Sequence, residues 1–219
     1  MNNLNAFNNT LELYHGSKGG LSGKIRPCSR EACDFGRGFY TGEIIQQPSE
    51  LIHKFSNAKL YRVIANVKDL DILDFGTQDK ELWLLYIARN RGFLKKFPNF
   101  LNIKFKELDN KDLLIGLIAD DSMTMGLGMF FNNQITTDAL YAALTLVNLG
   151  NQYVFKTQKA CDSLIVKELE YSEKDRKIAA YHNTIRLHGI ENRVNAIMRE
   201  YRRTGLYFDE MLEDLERRH

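Results

Sequence analysis

The sequence predicts an α+β fold with an antiparallel or mixed sheet. The candidate strands are few and short, helical segments lie between them, and the strand–helix–strand rhythm of a parallel sheet is missing. The 219 residues, 44% of them hydrophobic and 11% aromatic, supply enough apolar material for one domain, or one domain with a small appendage. Only three prolines interrupt the chain, and no low-complexity linker divides it.

Hydrophobic spacing assigns the elements in chain order. Alternating or continuous apolar runs predict strands at residues 11–14, 38–41, 60–67, 70–75, 113–118, 152–156 and 164–169. Three- and four-residue spacing predicts helices at residues 48–57, 80–90, 126–131 and 138–149. In the first helix, Leu51, Ile52 and Phe55 are expected to share one buried face.

From about Ser172 the sequence becomes polar, charged and helical in pattern. This change predicts a division into residues 1–171 and a helical extension of residues 172–219. The favoured interpretation is two helices packed back on the domain. The alternatives are a lid, an oligomer contact or an element that binds a partner.

Composition limits the classes of function. The formal net charge is +2, with acids and bases interspersed, which argues against a general nucleic-acid coat but leaves a local basic face open. No apolar run of about 20 residues occurs and the first residues do not resemble a signal peptide, so we expect a cytoplasmic protein without membrane association. Cys28, Cys33 and Cys161 are expected to be reduced thiols. A zinc site of the first two with His15 is disfavoured, because no second Cys/His pair follows, and no metal is predicted.

Three short segments far apart in the chain carry side chains that can bind a nucleotide. They are LYHGS at residues 13–17, DFGRGFYTG at residues 34–42 and NQYVFKT at residues 151–157. His15 precedes Gly16 at a strand end, where a ring nitrogen can meet a ribose hydroxyl and the glycine leaves backbone groups open to a carboxamide. The ring of Tyr40 can stack on a planar heterocycle. The amide of Gln152 can both donate to and accept from a sugar hydroxyl.

Each of these side chains also has a structural interpretation. A lone histidine near a turn is usually a surface or structural residue, and a tyrosine beside phenylalanines usually belongs to the core. Gln152 fits a polar position at a strand edge. We expect Asp34 to brace the glycine-rich segment through turn hydrogen bonds, and Arg37 either steers a pyrophosphate or faces solvent.

Taken together in their order, the three segments and IADD at residues 118–121 resemble the ADP-ribosyltransferase-like superfamily of the histidine–tyrosine–glutamate type. That superfamily includes diphtheria-toxin-like and poly-ADP-ribose-polymerase-like enzymes. Within it, the chain is similar to a bacterial subfamily described only as a domain of unknown function. The resemblance covers approximately residues 11–170.

The resemblance implies a split β-sandwich, with two small sheets around a cleft that holds NAD as co-substrate. It implies that His15 contacts the adenosine ribose, that the backbone of Gly16 holds the nicotinamide carboxamide, and that Tyr40 packs on the nicotinamide ring. Gln152 corresponds to the acid that binds the nicotinamide ribose. The predicted cofactor-binding residues are His15, Gly16, Ser17, Gly38, Tyr40 and Gln152, of which His15, Tyr40 and Gln152 are predicted to be catalytic.

Gln152 departs from the glutamate of this superfamily, because an amide keeps the hydrogen bonds but not the charge. Losing one preorganised electrostatic partner costs on the order of 2.7–4 kcal/mol. Three outcomes follow: slow mono-ADP-ribosylation, charge supplied by Asp120 or Asp121, or a pocket that binds NAD without turning it over. One of these two aspartates either orients the acceptor nucleophile or caps the next helix.

The expected function is therefore that of an NAD-dependent mono-ADP-ribosyltransferase acting on a macromolecular acceptor, either a protein or a nucleic acid. The resemblance further suggests a bacterial toxin of a toxin–antitoxin or phage-defence system, with an antitoxin protein as partner. The alternatives are an NAD glycohydrolase, in which water is the acceptor, and a catalytically weak module that binds NAD or ADP-ribose.

Overall fold

The computed structural model describes residues 9–29, 32–76, 80–93, 99–118, 124–147 and 149–218. Within them, seven strands form one mixed sheet. The strands are β1 (Thr10–Ser17), β2 (Phe39–Gly42), β3 (Lys59–Asn66), β4 (Ile72–Asp74), β5 (Leu113–Leu117), β6 (Asn151–Phe155) and β7 (Leu164–Leu169). Their order is β4-β5-β6-β2-β1-β3-β7, and only β4 and β5 pair in parallel. The predicted α+β class is confirmed.

The shortest strand pairing in this sheet is the one between β1 and β2, which we call the joint of β1 and β2. β1 pairs with β3 along its whole length, from Thr10 to Ser17, whereas it pairs with β2 only at Tyr14 and Gly42. The resemblance implies two separate small sheets, and the structure instead joins the strands into one sheet across this single position.

Helices cover the chain between and after the strands. They are α1 (Gln46–Ile52), α2 (Lys80–Asn90), α3 (Asn99–Asp109), α4 (Thr124–Phe131), α5 (Thr137–Val147), α6 (Gln158–Asp162), α7 (Glu173–Glu200) and α8 (Phe208–Arg218). The pair α2 and α3 makes the crossover that a parallel β4–β5 pairing requires. None of the helices in the described part of the chain is long and apolar enough to cross a membrane.

The first helix is shorter than predicted and buries a different face. α1 ends at Ile52, and its two buried residues are Pro48 and Ile52, one turn apart. Leu51 and Phe55 are 56% and 37% exposed, so the expected face of three apolar residues is wrong. The reason is that the packing of α1 is determined by its close approach to Gly16 of β1.

Each face of the sheet packs on its own core. On β6, Val154 joins the larger cluster with α2, α3, α4 and α5, while its neighbours Tyr153 and Phe155 join the smaller cluster with β1 and β3. This alternation follows from the two-residue period of a strand.

The C-terminal helices contribute to the larger cluster. Val194 and Met198 of α7, and Phe208, Met211 and Leu215 of α8, are buried in it beside residues of α2 and α4. α7 begins after a capping box in which Ser172 and Asp175 bond each other's backbone N–H groups. In the structure these helices are packed back on the body, and the division at residue 171 remains a prediction.

Candidate functional site

The three predicted segments lie on three adjacent strands at the centre of the sheet. His15 is on β1, Tyr40 on β2 and Gln152 on β6, in the spatial order β6-β2-β1. Gly42 of β2 is paired with Tyr14 on one side and with Gln152 on the other. Segments more than a hundred residues apart thus meet at the joint between β1 and β2.

The imidazole of His15 links β1 to β2. Its Nδ1 lies 2.7 Å from the carbonyl oxygen of Tyr40, and its ring stacks on Phe39 with centroids 4.4 Å apart. Because a carbonyl only accepts, Nδ1–H is the donor, which leaves Nε2 as an acceptor. Burial lowers the pKa of His15 below its ordinary value, and the bond to the Tyr40 carbonyl opposes this shift. The ring is therefore held in the neutral tautomer that suits a sugar hydroxyl.

Gly16 and Ser17 continue the strand under α1. A Cβ at Gly16 would lie 2.7 Å from the carbonyl oxygen of Pro48 and 2.8 Å from Cγ2 of Ile52. Glycine is thus required here for close packing of helix on strand. The hydroxyl of Ser17 donates to the carbonyl of Gly20 at 2.9 Å, which holds the following turn.

Gly38 and Tyr40 have structural partners on the β6 side. A Cβ at Gly38 would lie 2.4 Å from Cγ1 of Val154, which is fully buried. The Tyr40 hydroxyl donates to the carbonyl of Gly36 at 2.7 Å and accepts from the backbone N–H of Phe35 at 3.1 Å. Burial raises the pKa of this hydroxyl above its ordinary value, so it stays protonated.

Gln152 is buried, with 7% of its surface exposed. Its Nε2 donates to Oδ2 of Asp34 at 3.1 Å and to the carbonyl of Leu117 at 3.0 Å. Asp34 in turn accepts from Arg91, whose Nε lies 2.6 Å from Oδ1, and the Asp34 carbonyl accepts from Asn90. Gln152, which the third segment supplies to the predicted site, therefore belongs to a buried polar network.

Both cross-strand neighbours of Gln152 are glycines, but they differ in what surrounds them. At Gly116 of β5 a Cβ would meet Cζ of Phe35 at 2.8 Å, so a core side chain occupies that side. At Gly42 of β2 the nearest atom is Oε1 of Gln47, the end of a flexible side chain, at 3.2 Å. The Gly42 side of Gln152 is therefore covered by a side chain that can move, and the Gly116 side by the core.

A cavity of about 410 Å³ lies between α1 and α7. Its walls include Gln47, which reaches over Gly42, and Leu149, three residues before Gln152. The ion pair between Glu50 and Arg186, 2.9 Å apart, joins the two helices at this cavity. Ligand pockets of about 300–1,000 Å³ are usual for small molecules. The described residues that line this cavity do not include His15, Tyr40 or Gln152.

The three predicted side chains share neighbouring strands but not one face of the sheet. His15 lies with Phe39 on the side of the smaller cluster, whereas Tyr40 packs on the larger cluster. Gln152 is two residues from Val154 and so points to the Tyr40 side. His15 contacts the second segment through the Tyr40 carbonyl and through the ring of Phe39.

The remaining predicted positions differ in their placement. Asp120 and Asp121 lie outside the described residues. Arg37 is exposed, and Asp34, expected only to brace its own turn, is buried against Gln152.

The three cysteines are free thiols, with Cys28 exposed and Cys161 buried. Within the described ranges, no cluster of three His, Cys, Asp or Glu side chains could hold a metal ion.

Sequence reasoning missed the residues behind Gln152. Asn90 and Arg91 lie at the end of α2, about 60 residues from both motifs that they connect, and no local pattern marks them. Glu43 was missed too: its Oε1 accepts from the backbone N–H of Asn151 at 2.9 Å and its Oε2 from the Tyr153 hydroxyl at 3.0 Å. Its position directly after the second motif was the available signal.

Comparison with known proteins identifies the family of this chain. A search of curated proteins and a search of solved structures each found no significant match. A family model described as "Protein of unknown function (DUF3990)" matches residues 11–166, which cover β2 to β6 and all of β1 except Thr10. Because this match covers most of the chain, the protein belongs to the DUF3990 family.

Proposed function

We propose that this protein is an NAD-dependent mono-ADP-ribosyltransferase that modifies a protein or nucleic-acid acceptor. The observation that carries the proposal is the meeting of the three motif strands at the joint of β1 and β2, where His15 bridges to the Tyr40 carbonyl at 2.7 Å. The resemblance of the motifs to the ADP-ribosyltransferase-like superfamily supplies the chemistry.

In this proposal NAD contributes a ribose C1–nicotinamide bond that breaks with its electron pair leaving on nicotinamide. A nucleophile of the acceptor forms the new bond to C1 and releases its proton to solvent. Nε2 of His15 accepts from the adenosine ribose, the backbone of Gly16 holds the carboxamide, and Gln152 binds the nicotinamide ribose. The neutral state of His15, favoured by its burial, suits this acceptor role.

A specific observation favours a second candidate, a module that binds NAD or ADP-ribose without turnover. The amide nitrogen of Gln152 is occupied by Asp34 and Leu117, and the side chain carries no charge of its own. In that case nicotinamide is never released, although calorimetry detects binding.

The test is incubation of the purified protein with labelled NAD and a bacterial lysate. Transfer of label to protein or RNA, with release of nicotinamide, is the expected result, and His15→Ala and Tyr40→Ala should abolish it. His188→Ala, a change of an exposed histidine on α7, is the matched control and should retain transfer. Release of free ADP-ribose without transfer would identify a glycohydrolase, and intact NAD would contradict the proposal.

The proposed role as a toxin of a toxin–antitoxin or phage-defence system has a separate test. Expression in bacteria should arrest growth, and His15→Ala should relieve the arrest. Equal growth arrest by the wild type and by His15→Ala, expressed at equal levels, would show that the arrest does not depend on NAD chemistry.

A further inference from the structure

The carboxylate of Asp34 accepts a hydrogen bond from the amide of Gln152. Oδ2 of Asp34 and the carbonyl oxygen of Leu117 lie 3.1 and 3.0 Å from Nε2. Both partners can only accept hydrogen bonds, so the nitrogen must face them and the carbonyl oxygen Oε1 must face away. The network therefore determines which end of the amide is presented to a ligand.

Asp34 is itself held rigidly. Its side chain is 8% exposed, its Oδ1 accepts from Arg91, and its backbone carbonyl accepts from Nδ2 of Asn90 at 2.9 Å. A buried carboxylate whose two oxygens both accept hydrogen bonds cannot rotate. The same oxygen, Oδ2, therefore always faces the Gln152 amide. One oxygen is paired with a cation and the other is directed at Gln152.

We propose that Asp34 is the positioning residue for Gln152 in the NAD reaction, an inference that rests on the proposed function. The carboxylate orients the amide and polarises it, so that Oε1 carries additional negative charge toward the ribose hydroxyl that it accepts from. As the ribose C1–nicotinamide bond breaks and its electron pair leaves with nicotinamide, this oxygen stabilises the positive charge that develops on the ribose. Asp34 thereby replaces part of what a glutamate at residue 152 supplies in the superfamily.

Asp34→Asn tests this directly. Arg91 needs an acceptor and will take Oδ1 of the asparagine, which leaves its NH2 group facing Gln152. Two donors cannot share that contact, so residue 34 no longer orients the Gln152 amide or polarises Oε1, and only the Leu117 carbonyl still accepts from Nε2. We expect kcat for nicotinamide release to fall on the order of 10²-fold, as when one preorganised group is lost, with KM for NAD changed less. The side-chain amide signals of Gln152 in NMR, identified by their loss in Gln152→Glu, should shift and exchange faster with water without NAD present.

Asp109→Asn is the matched control. It breaks a second ion pair, between Asp109 and Arg89 at 2.7 Å, and leaves the contact of Asp34 with Gln152 in place. Both variants should melt at lower temperature than the wild type, while only Asp34→Asn loses kcat and shifts the Gln152 amide signals. Equal loss of kcat in both variants would mean that Asp34 acts only through stability, and would overturn the inference.

A positioning role and a purely structural role of Asp34 predict opposite changes in the rate at which Gln152→Glu turns over NAD. This variant remains informative if Asp34→Asn does not fold. If Asp34 positions the amide, an ionised glutamate meets two acceptors and turns over NAD more slowly than Gln152 at neutral pH. Its rate then recovers as the pH falls, since the protonated acid can donate to Asp34. If Asp34 is only structural, Gln152→Glu restores the missing charge and is faster. Absence of NAD turnover in the wild type refutes the proposed function. A wild type that is active, with Asp34→Asn unchanged or Gln152→Glu faster, refutes this inference alone.

Discussion

Replacing Gly38 by alanine should destabilise the fold through one contact. The added Cβ would lie 2.4 Å from Cγ1 of Val154 and 3.2 Å from the carbonyl oxygen of Phe155. Val154 is fully buried in the larger cluster and sits on a paired strand, so neither it nor the backbone of β6 has space to move. Overpacking of this kind costs about 1–3 kcal/mol.

The assay is urea unfolding followed by circular dichroism, and a second substitution isolates the contact. Val154→Ala alone removes two buried methyl groups, which costs about 2 kcal/mol. The double variant Gly38→Ala/Val154→Ala should be about as stable as Val154→Ala, because the truncation makes room for the new methyl group. Gly19→Ala is the control: no atom lies within 4 Å of its Cβ position, so stability should change by less than about 0.5 kcal/mol.

Additive effects in the double variant, or a cost below about 0.5 kcal/mol for Gly38→Ala, would refute this reasoning. The same variants separate packing from ligand binding. If Gly38 also contacts NAD, as the resemblance implies, the double variant has the stability of Val154→Ala but turns over NAD more slowly than Val154→Ala does.

The remaining predictions concern His15, Tyr40 and the ion pair between α1 and α7. Burial lowers the folded-state pKa of His15 below its ordinary value of 6.5, so its contribution to stability is complete above that pH and declines as the pH falls below it. His15→Asn, whose amide N–H can still reach the Tyr40 carbonyl, should flatten the loss of stability between about pH 7 and 5 in denaturation curves; an unchanged slope would contradict this assignment. Tyr40→Phe should cost about 1–2 kcal/mol through the lost hydroxyl bonds yet keep NAD turnover, since the ring remains; loss of turnover in a folded variant would show that the hydroxyl is needed. Arg186→Ala should cost about 1–3 kcal/mol because the Glu50 carboxylate, which is only 10% exposed, loses its cation, whereas Glu50→Met/Arg186→Leu should be nearly neutral in thermal melts; equal melting temperatures for the two variants would contradict this.

Local hydrophobic spacing was sufficient for several elements. The prediction of a helix at residues 80–90 is confirmed by α2 and that of a strand at residues 164–169 by β7. No helix was predicted at residues 99–109, although Leu101, Phe105 and Leu108 follow helical spacing and are buried. α6 has only five residues, too few for a periodic signal.

The site is less predictable because it depends on pairing between distant strands. The positions of His15, Tyr40 and Gln152 at strand ends or within short strands follow from local patterns. Their placement on neighbouring strands depends on the order β6-β2-β1, which no local pattern contains. Likewise, the bond from Arg91 to Asp34 joins residues 57 positions apart, and only the assembled fold brings them together.

The most direct test of the NAD proposal is a crystal of the wild-type protein soaked with NAD. The proposal predicts the nicotinamide carboxamide on the backbone of Gly16, the adenosine ribose within hydrogen-bond distance of Nε2 of His15, and the nicotinamide ribose approaching Gln152 over Gly42. NAD bound only in the cavity between α1 and α7, away from Gly16, or no bound NAD at a saturating concentration, would contradict it.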